Sequence, residues 1–198
     1  YGGDLYIGVM TVLNSVREVL MLPVLGISNG AQPVLGYNYG AKKYGRIAEG
    51  FKVCMAIALI TYIIFGSVMV FFPRFLASMM LNGEQQIELA MGYLVRSGVM
   101  IFAVDFLFVV RSGCQGLGKP LFPMISGIVE MVMRVAVIIL FTDKIGFSAT
   151  SYAEIAAWVG ALLINAFAFG IILRGYLKNE SNGGKKQSMF FHRRLNNA

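Results

Sequence analysis

The chain has 198 residues, 57% of them hydrophobic and only 14% charged, with a formal net charge of +7. Its mean hydropathy of +0.69 lies outside the soluble globular range and places it among membrane proteins. The short alternating segments of a closed β-barrel are absent, and the positive charge, concentrated as described below, calls for no nucleic acid.

Five apolar runs, at residues 5–27, 51–72, 89–110, 120–142 and 152–173, are each within the roughly 17–25 residues that a spanning helix needs. They predict an all-α membrane protein, a bundle of five transmembrane helices over residues 1–175. A basic tail over 176–198, rich in Ser, Asn, Gly and Lys, reads as disordered. The first run is followed by Pro33 and by glycines at 30, 36 and 40, which predict a broken helix and a tight elbow. Gly26 and Gly30 have the spacing that lets two membrane helices approach backbone to backbone. Pro23 removes the bond back to Val19 and bends the first helix. In the last span Tyr152, Trp158 and Tyr176 read as interfacial anchors.

Cationic residues concentrate on one side of this arrangement. Lys42, Lys43, Arg46 and Lys52 follow the first span, Arg111 and Lys119 the third, and Arg174, Lys178, Lys185, Lys186, Arg193 and Arg194 the fifth. The other side has Arg74 and Lys144. The positive-inside rule then puts the amino end outside and the carboxyl end in the cytoplasm, as an integral, multi-pass protein of the plasma (inner) membrane. Tyr1 to Asp4 form no charged n-region, and no small-residue cleavage site follows the first run, so that run is a span and not a signal peptide. The chain reads as truncated, without upstream helices. Cys54 and Cys114 fall near cytoplasmic ends and read as packed thiols.

Ionisable residues inside the spans are the candidate functional set: Arg17 and Glu18 in the first, Arg96 and Asp105 in the third, Glu130 and Arg134 in the fourth. Each costs roughly 2.5–3.5 kcal/mol near the bilayer centre, so pairing or a wet cavity is required. Glu130 and Arg134 stand four residues apart on one helix face and pair locally. Asn14, one turn before Glu18, shares a polar face with it. Asp105 has no local partner; its face carries Gly98, Ile101, Phe108 and Ser112. Either it pairs with a base on another helix, such as Arg17 or Arg134, or it binds H⁺, Na⁺ or a cationic ligand. No metal cluster or cofactor is expected.

Gly30-Ala-Gln32-Pro33-Val-Leu-Gly36-Tyr-Asn38-Tyr-Gly40-Ala41-Lys-Lys43 resembles the signature of the MATE (multidrug and toxic compound extrusion) transporters at the junction of helices eight and nine. Gln115-Gly116-Leu117-Gly118-Lys119-Pro120 resembles the family's turn between helices ten and eleven. The resemblance implies the carboxyl-terminal five helices of a twelve-helix, two-lobe transporter. The missing amino-terminal helices would be a partner of this chain, beside the lipid bilayer and small organic cation substrates. In this family, helix ten often carries an acidic residue about ten positions before its closing turn that is linked to cation coupling. Asp105 matches that position.

Three functions compete. The first is a secondary active antiporter that exports organic cations, drugs or other xenobiotics in exchange for H⁺ or Na⁺ by alternating access. On this reading Asp105, Glu18, Asn14, Arg17, Glu130 and Arg134 line the ion and substrate path. The second is a flippase for lipid-linked precursors, which a groove rich in arginine would favour. The third is a non-transporting membrane fragment or subunit. No nucleophile–base pair or metal-ligand set points to an enzyme.

Overall fold

The computed structural model describes the backbone of residues 3–195 and the side chains within residues 5–179. Six helices follow in chain order: α1 (Asp4–Gly40), α2 (Tyr44–Phe71), α3 (Pro73–Ser78), α4 (Glu84–Gly116), α5 (Leu121–Ile145) and α6 (Ser148–Leu195). All but the short α3 are long and apolar enough to cross a membrane, α6 through Ser148–Asn179. The five expected spans are all present, and each helix extends beyond at least one end of its apolar run. The side chains of the tail after Asn179, and residues 196–198, lie outside the described residues. α3 was not anticipated. It starts with Pro73 at its first position, where the missing N–H costs nothing, directly after the apolar run ends.

The expected elbow is not where the glycines and Pro33 placed it. α1 runs unbroken through Pro23 and Pro33 to Gly40, 37 residues or about 55 Å. Each proline removes one hydrogen bond to the fourth preceding carbonyl, which a long helix supported by neighbours tolerates. The chain turns later. The Lys42 N–H bonds the Tyr39 carbonyl at 3.0 Å and the Lys43 N–H the Asn38 carbonyl at 2.9 Å, closing a Schellman cap with Lys42 left-handed at φ 56°.

α4 ends in the same way. The Gly118 N–H bonds Gln115 at 3.0 Å and the Lys119 N–H bonds Cys114 at 2.9 Å, with Gly118 left-handed at φ 68°. Both turns lie at one end of the bundle, because α1 and α4 run parallel with α2 antiparallel between them in sequence. α4 is the central helix: it packs on α1, α2 and α6, and most of its residues after Tyr93 are buried. α5 packs chiefly on α6, and most of its surface is not covered by the chain.

Close helix approach at α4 depends on glycine at several points. A Cβ on Gly116 would lie 2.8 Å from the Gln32 carbonyl of α1 and 3.4 Å from the Gly36 nitrogen. One on Gly98 would lie 2.8 Å from the Met69 Cβ of α2. The two distances of 2.8 Å are too short for a side chain. Gly26 and Gly30, expected to mediate helix contact, meet nothing within 4 Å; the small-residue contact of α1 is made at Gly36 instead.

Candidate functional site

Two ionic networks and one solitary carboxylate occupy the interior. The first network joins three helices. The Arg17 guanidinium of α1 pairs with Glu154 of α6 and bonds the Asn14 Oδ1 at 3.0 Å. The Tyr93 hydroxyl of α4 donates to the same Glu154 oxygen at 2.9 Å. The guanidinium also lies 5.5 Å from the ring centroid of Trp158. Trp158, expected at the interface, is therefore buried at 3% exposure beneath an arginine. Asn14 serves Arg17 and not Glu18.

The second network joins α4 and α5. Glu130 pairs with Arg134 at 3.3 Å on its own helix, as its spacing predicts, and more closely with Arg111 of α4 at 2.7 Å. Arg111 was expected in a cationic loop; α4 continues past it and directs its side chain inward. Between the two networks is a cavity of about 380 Å³. Arg17 and Glu18 of α1, Phe108 and Arg111 of α4, Glu130 and Arg134 of α5, and Trp158 of α6 all border it. Glu18 is exposed and belongs to none of the four ion pairs among the described residues.

Asp105 does not border this cavity. It is 3% exposed and takes part in none of those ion pairs, so neither Arg17 nor Arg134 neutralises it. Its place on α4 explains this. Seven residues from Gly98 and eleven from Gly116 are close to whole numbers of turns, so Asp105 shares the face that packs on α2 and α1. The cavity is bordered by Val104, Phe108 and Arg111, about a quarter turn around the helix. α1 meets α4 with a buried row that includes Val24, Ala31 and Leu35. In that row the Ser28 hydroxyl has no hydrogen-bond partner.

The resemblance motifs are structural where they can be followed. Gly36 and Gly116, from two separate motifs, meet at the α1–α4 crossing, and Gln32 contributes its backbone carbonyl there. Asn38, Ala41, Gln115, Gly118 and Lys119 form the two matching caps. Gly30, Pro33 and Gly40 are exposed. Two members of the ionic networks escaped the sequence reading, Glu154 and the inward-facing Arg111. Glu154 already stands inside the fifth apolar run, two residues from its start, and a survey of every ionisable residue in the runs finds it; Arg111 stands one beyond the third, so a looser span end would have exposed it.

The MatE family profile matches residues 1–140. No curated protein matches the chain. Among solved structures the chain is similar to a MATE protein in complex with MaL6, with a TM-score of 0.82 at 17% identity, over 89% of this chain and 41% of that one. It is also similar to a multidrug resistance MATE family transporter of the MOP superfamily in two conformations. The outward-facing one gives a TM-score of 0.82 at 16% identity, over 89% of this chain and 40% of that one. The inward-facing one gives 0.78 at 16% identity, over 86% and 40%. The chain thus spans about two fifths of the solved structures it matches.

Proposed function

The chain belongs to the MatE family, and from that premise we propose that it is the carboxyl-terminal part of a secondary active antiporter. It exports organic cations, drugs or other xenobiotics in exchange for H⁺ or Na⁺ by alternating access. The observation that carries this reading is a cavity inside a five-span bundle, bordered by ionisable side chains from α1, α4 and α5. Charged groups at membrane depth are costly and persist where an ion or substrate passes. The fold's likeness to both an outward-facing and an inward-facing transporter supports alternating access.

In this reading Asp105 is the coupling carboxylate. It is buried and outside every ion pair among the described residues, on the α4 face that forms a seam with α1 and α2, so H⁺ or Na⁺ binding there would change how these helices pack. The same helices present another face to the cavity, and the seam and the substrate site are thereby linked through one pair of rigid elements. The cationic Lys42, Lys43, Arg46 and Lys119 at the two capped turns support a cytoplasmic position for those turns, with the amino end of the chain outside the plasma membrane.

The test uses the transporter that carries this chain, reconstituted with an imposed H⁺ or Na⁺ gradient and ethidium as the probe. Asp105→Asn should insert and fold yet lose gradient-driven efflux. Efflux at the unsubstituted rate would make Asp105 a structural residue. One observation favours a second reading, a flippase for lipid-linked precursors: Arg111 and Arg134 border the cavity, as a phosphate group would require.

A further inference from the structure

The α4–α5 wall of the cavity carries more positive charge than it neutralises. Arg111 and Arg134 share one carboxylate, Glu130. A guanidinium presents five N–H donors. Arg111 engages Glu130 at 2.7 Å and the Ser126 hydroxyl at 3.4 Å, both through Nη2. Arg134 engages only Glu130, and the Nε of each arginine is buried with no partner. No other acid pairs with either arginine among the described residues. Glu154 is held by Arg17, and Glu18 lies on the α1 wall outside every ion pair.

The pair is also approached from a second side. A cavity of about 460 Å³ between α4 and α5 is bordered by the same three charged residues. Beyond them its walls are Met124, Met131, Pro123 and Gly127, apolar or small, and Gln115 stands toward the capped end. A cationic head beside methionine and proline side chains in an open cleft suits an amphipathic molecule whose polar end is an oxyanion.

We propose that Arg111 and Arg134 receive the oxyanion of an amphipathic substrate, a carboxylate, phosphate or sulfonate, whose apolar part lies along Met124 and Met131. Two planar guanidiniums side by side match such a group bidentately. Glu130 tethers them and yields to the incoming anion. Glu18, across the cavity, turns the anionic end away from α1. The assignment rests on the transport reading for its role and narrows the exported xenobiotic to an amphipathic anion in place of an organic cation, but the binding is measurable without transport. A soluble aryl phosphate and a phospholipid headgroup share this chemistry.

The transporter carrying this chain, purified in detergent, is titrated with 1-naphthyl phosphate and with 1-naphthylmethylammonium as a cation of similar size. The phosphate should bind more tightly. Arg134→Gln should weaken it by about tenfold, and Glu130→Gln, which frees both guanidiniums, should tighten it by a similar factor. Misfolding does not produce that gain. Phosphatidic acid supplied in nanodiscs, with phosphatidylcholine as control, should displace the probe if the natural ligand is a lipid headgroup. Retention of the probe points to a soluble anion, and either result supports an oxyanion site. Failure of the phosphate to bind, tighter binding of the ammonium, or indifference to both substitutions overturns the proposal. Gradient-driven ethidium efflux without phosphate binding would remove this inference and leave the antiporter standing; arginine-dependent phosphate binding without efflux would do the reverse.

Discussion

On one face of α4, Gly98, Asp105 and Gly116 turn toward α2 and α1, where backbones approach so closely that a single added carbon would not fit. About a quarter turn away, Val104, Phe108 and Arg111 look across a cavity of about 380 Å³. Each face brings charge into the membrane. On the cavity side there is room for long side chains, and every arginine is paired, Arg17 with Glu154, Arg111 and Arg134 with Glu130, while Glu18 alone stays outside the ion pairs among the described residues. On the seam face there is no such room, and one carboxylate stands alone. Where helices are held apart, most charges reach a protein partner. Where they touch, Asp105 has no ion-pair partner among the described residues.

The largest stability effect should come from breaking a pair on the cavity side. Glu154→Gln leaves Arg17 without its counter-charge between three helices, and loss of one partner of a mostly buried pair costs about 3 kcal/mol. Thermal unfolding of the purified protein should show the drop; an unchanged midpoint would mean that Asn14 and Tyr93 suffice for Arg17. Next is a test of the seam's closeness. Gly116→Leu forces a side chain against the Gln32 carbonyl and should cost about 1–3 kcal/mol, whereas Gly36→Ala, whose new carbon would meet the Gly116 carbonyl at 3.3 Å, should cost less. Equal losses at the two positions would argue against a crossing centred on Gly116.

Asp105→Asn should behave in the opposite sense to Glu154→Gln. It removes an unpaired carboxylate from a buried seam, so stability should stay within about 1 kcal/mol of the original or rise, while ion-driven efflux is lost. A large loss of stability would reveal a protein partner for Asp105 and make the two faces alike. The smallest effect belongs to the caps that close the seam. Lys42→Gly should stabilise by about 1 kcal/mol, since only Lys42 among the described non-glycine residues adopts a left-handed backbone. Gly118→Ala, at the equivalent position after α4, should destabilise by about the same amount. The two substitutions changing stability in the same direction would break the equivalence of the caps.

The sequence by itself determined the number of spans, because an uninterrupted apolar run of sufficient length has few other stable forms in a bilayer. It also determined the Glu130–Arg134 pair, a contact within one helix turn, and the turn after the third span that bears the second family motif. It misplaced the first turn, because Pro33 and the glycines around it read as a break. Only the tertiary structure decided that α1 continues and that Gly36 meets Gly116, two residues 80 positions apart. It alone assigned Glu154 to Arg17, separated by 137 positions, and turned Arg111 inward to Glu130. It also settled which side of α4 each charge faces. A helix's period fixes the angle between Asp105 and Arg111, but not which neighbour lies at either angle, and that neighbour decides whether a charge is paired or left alone.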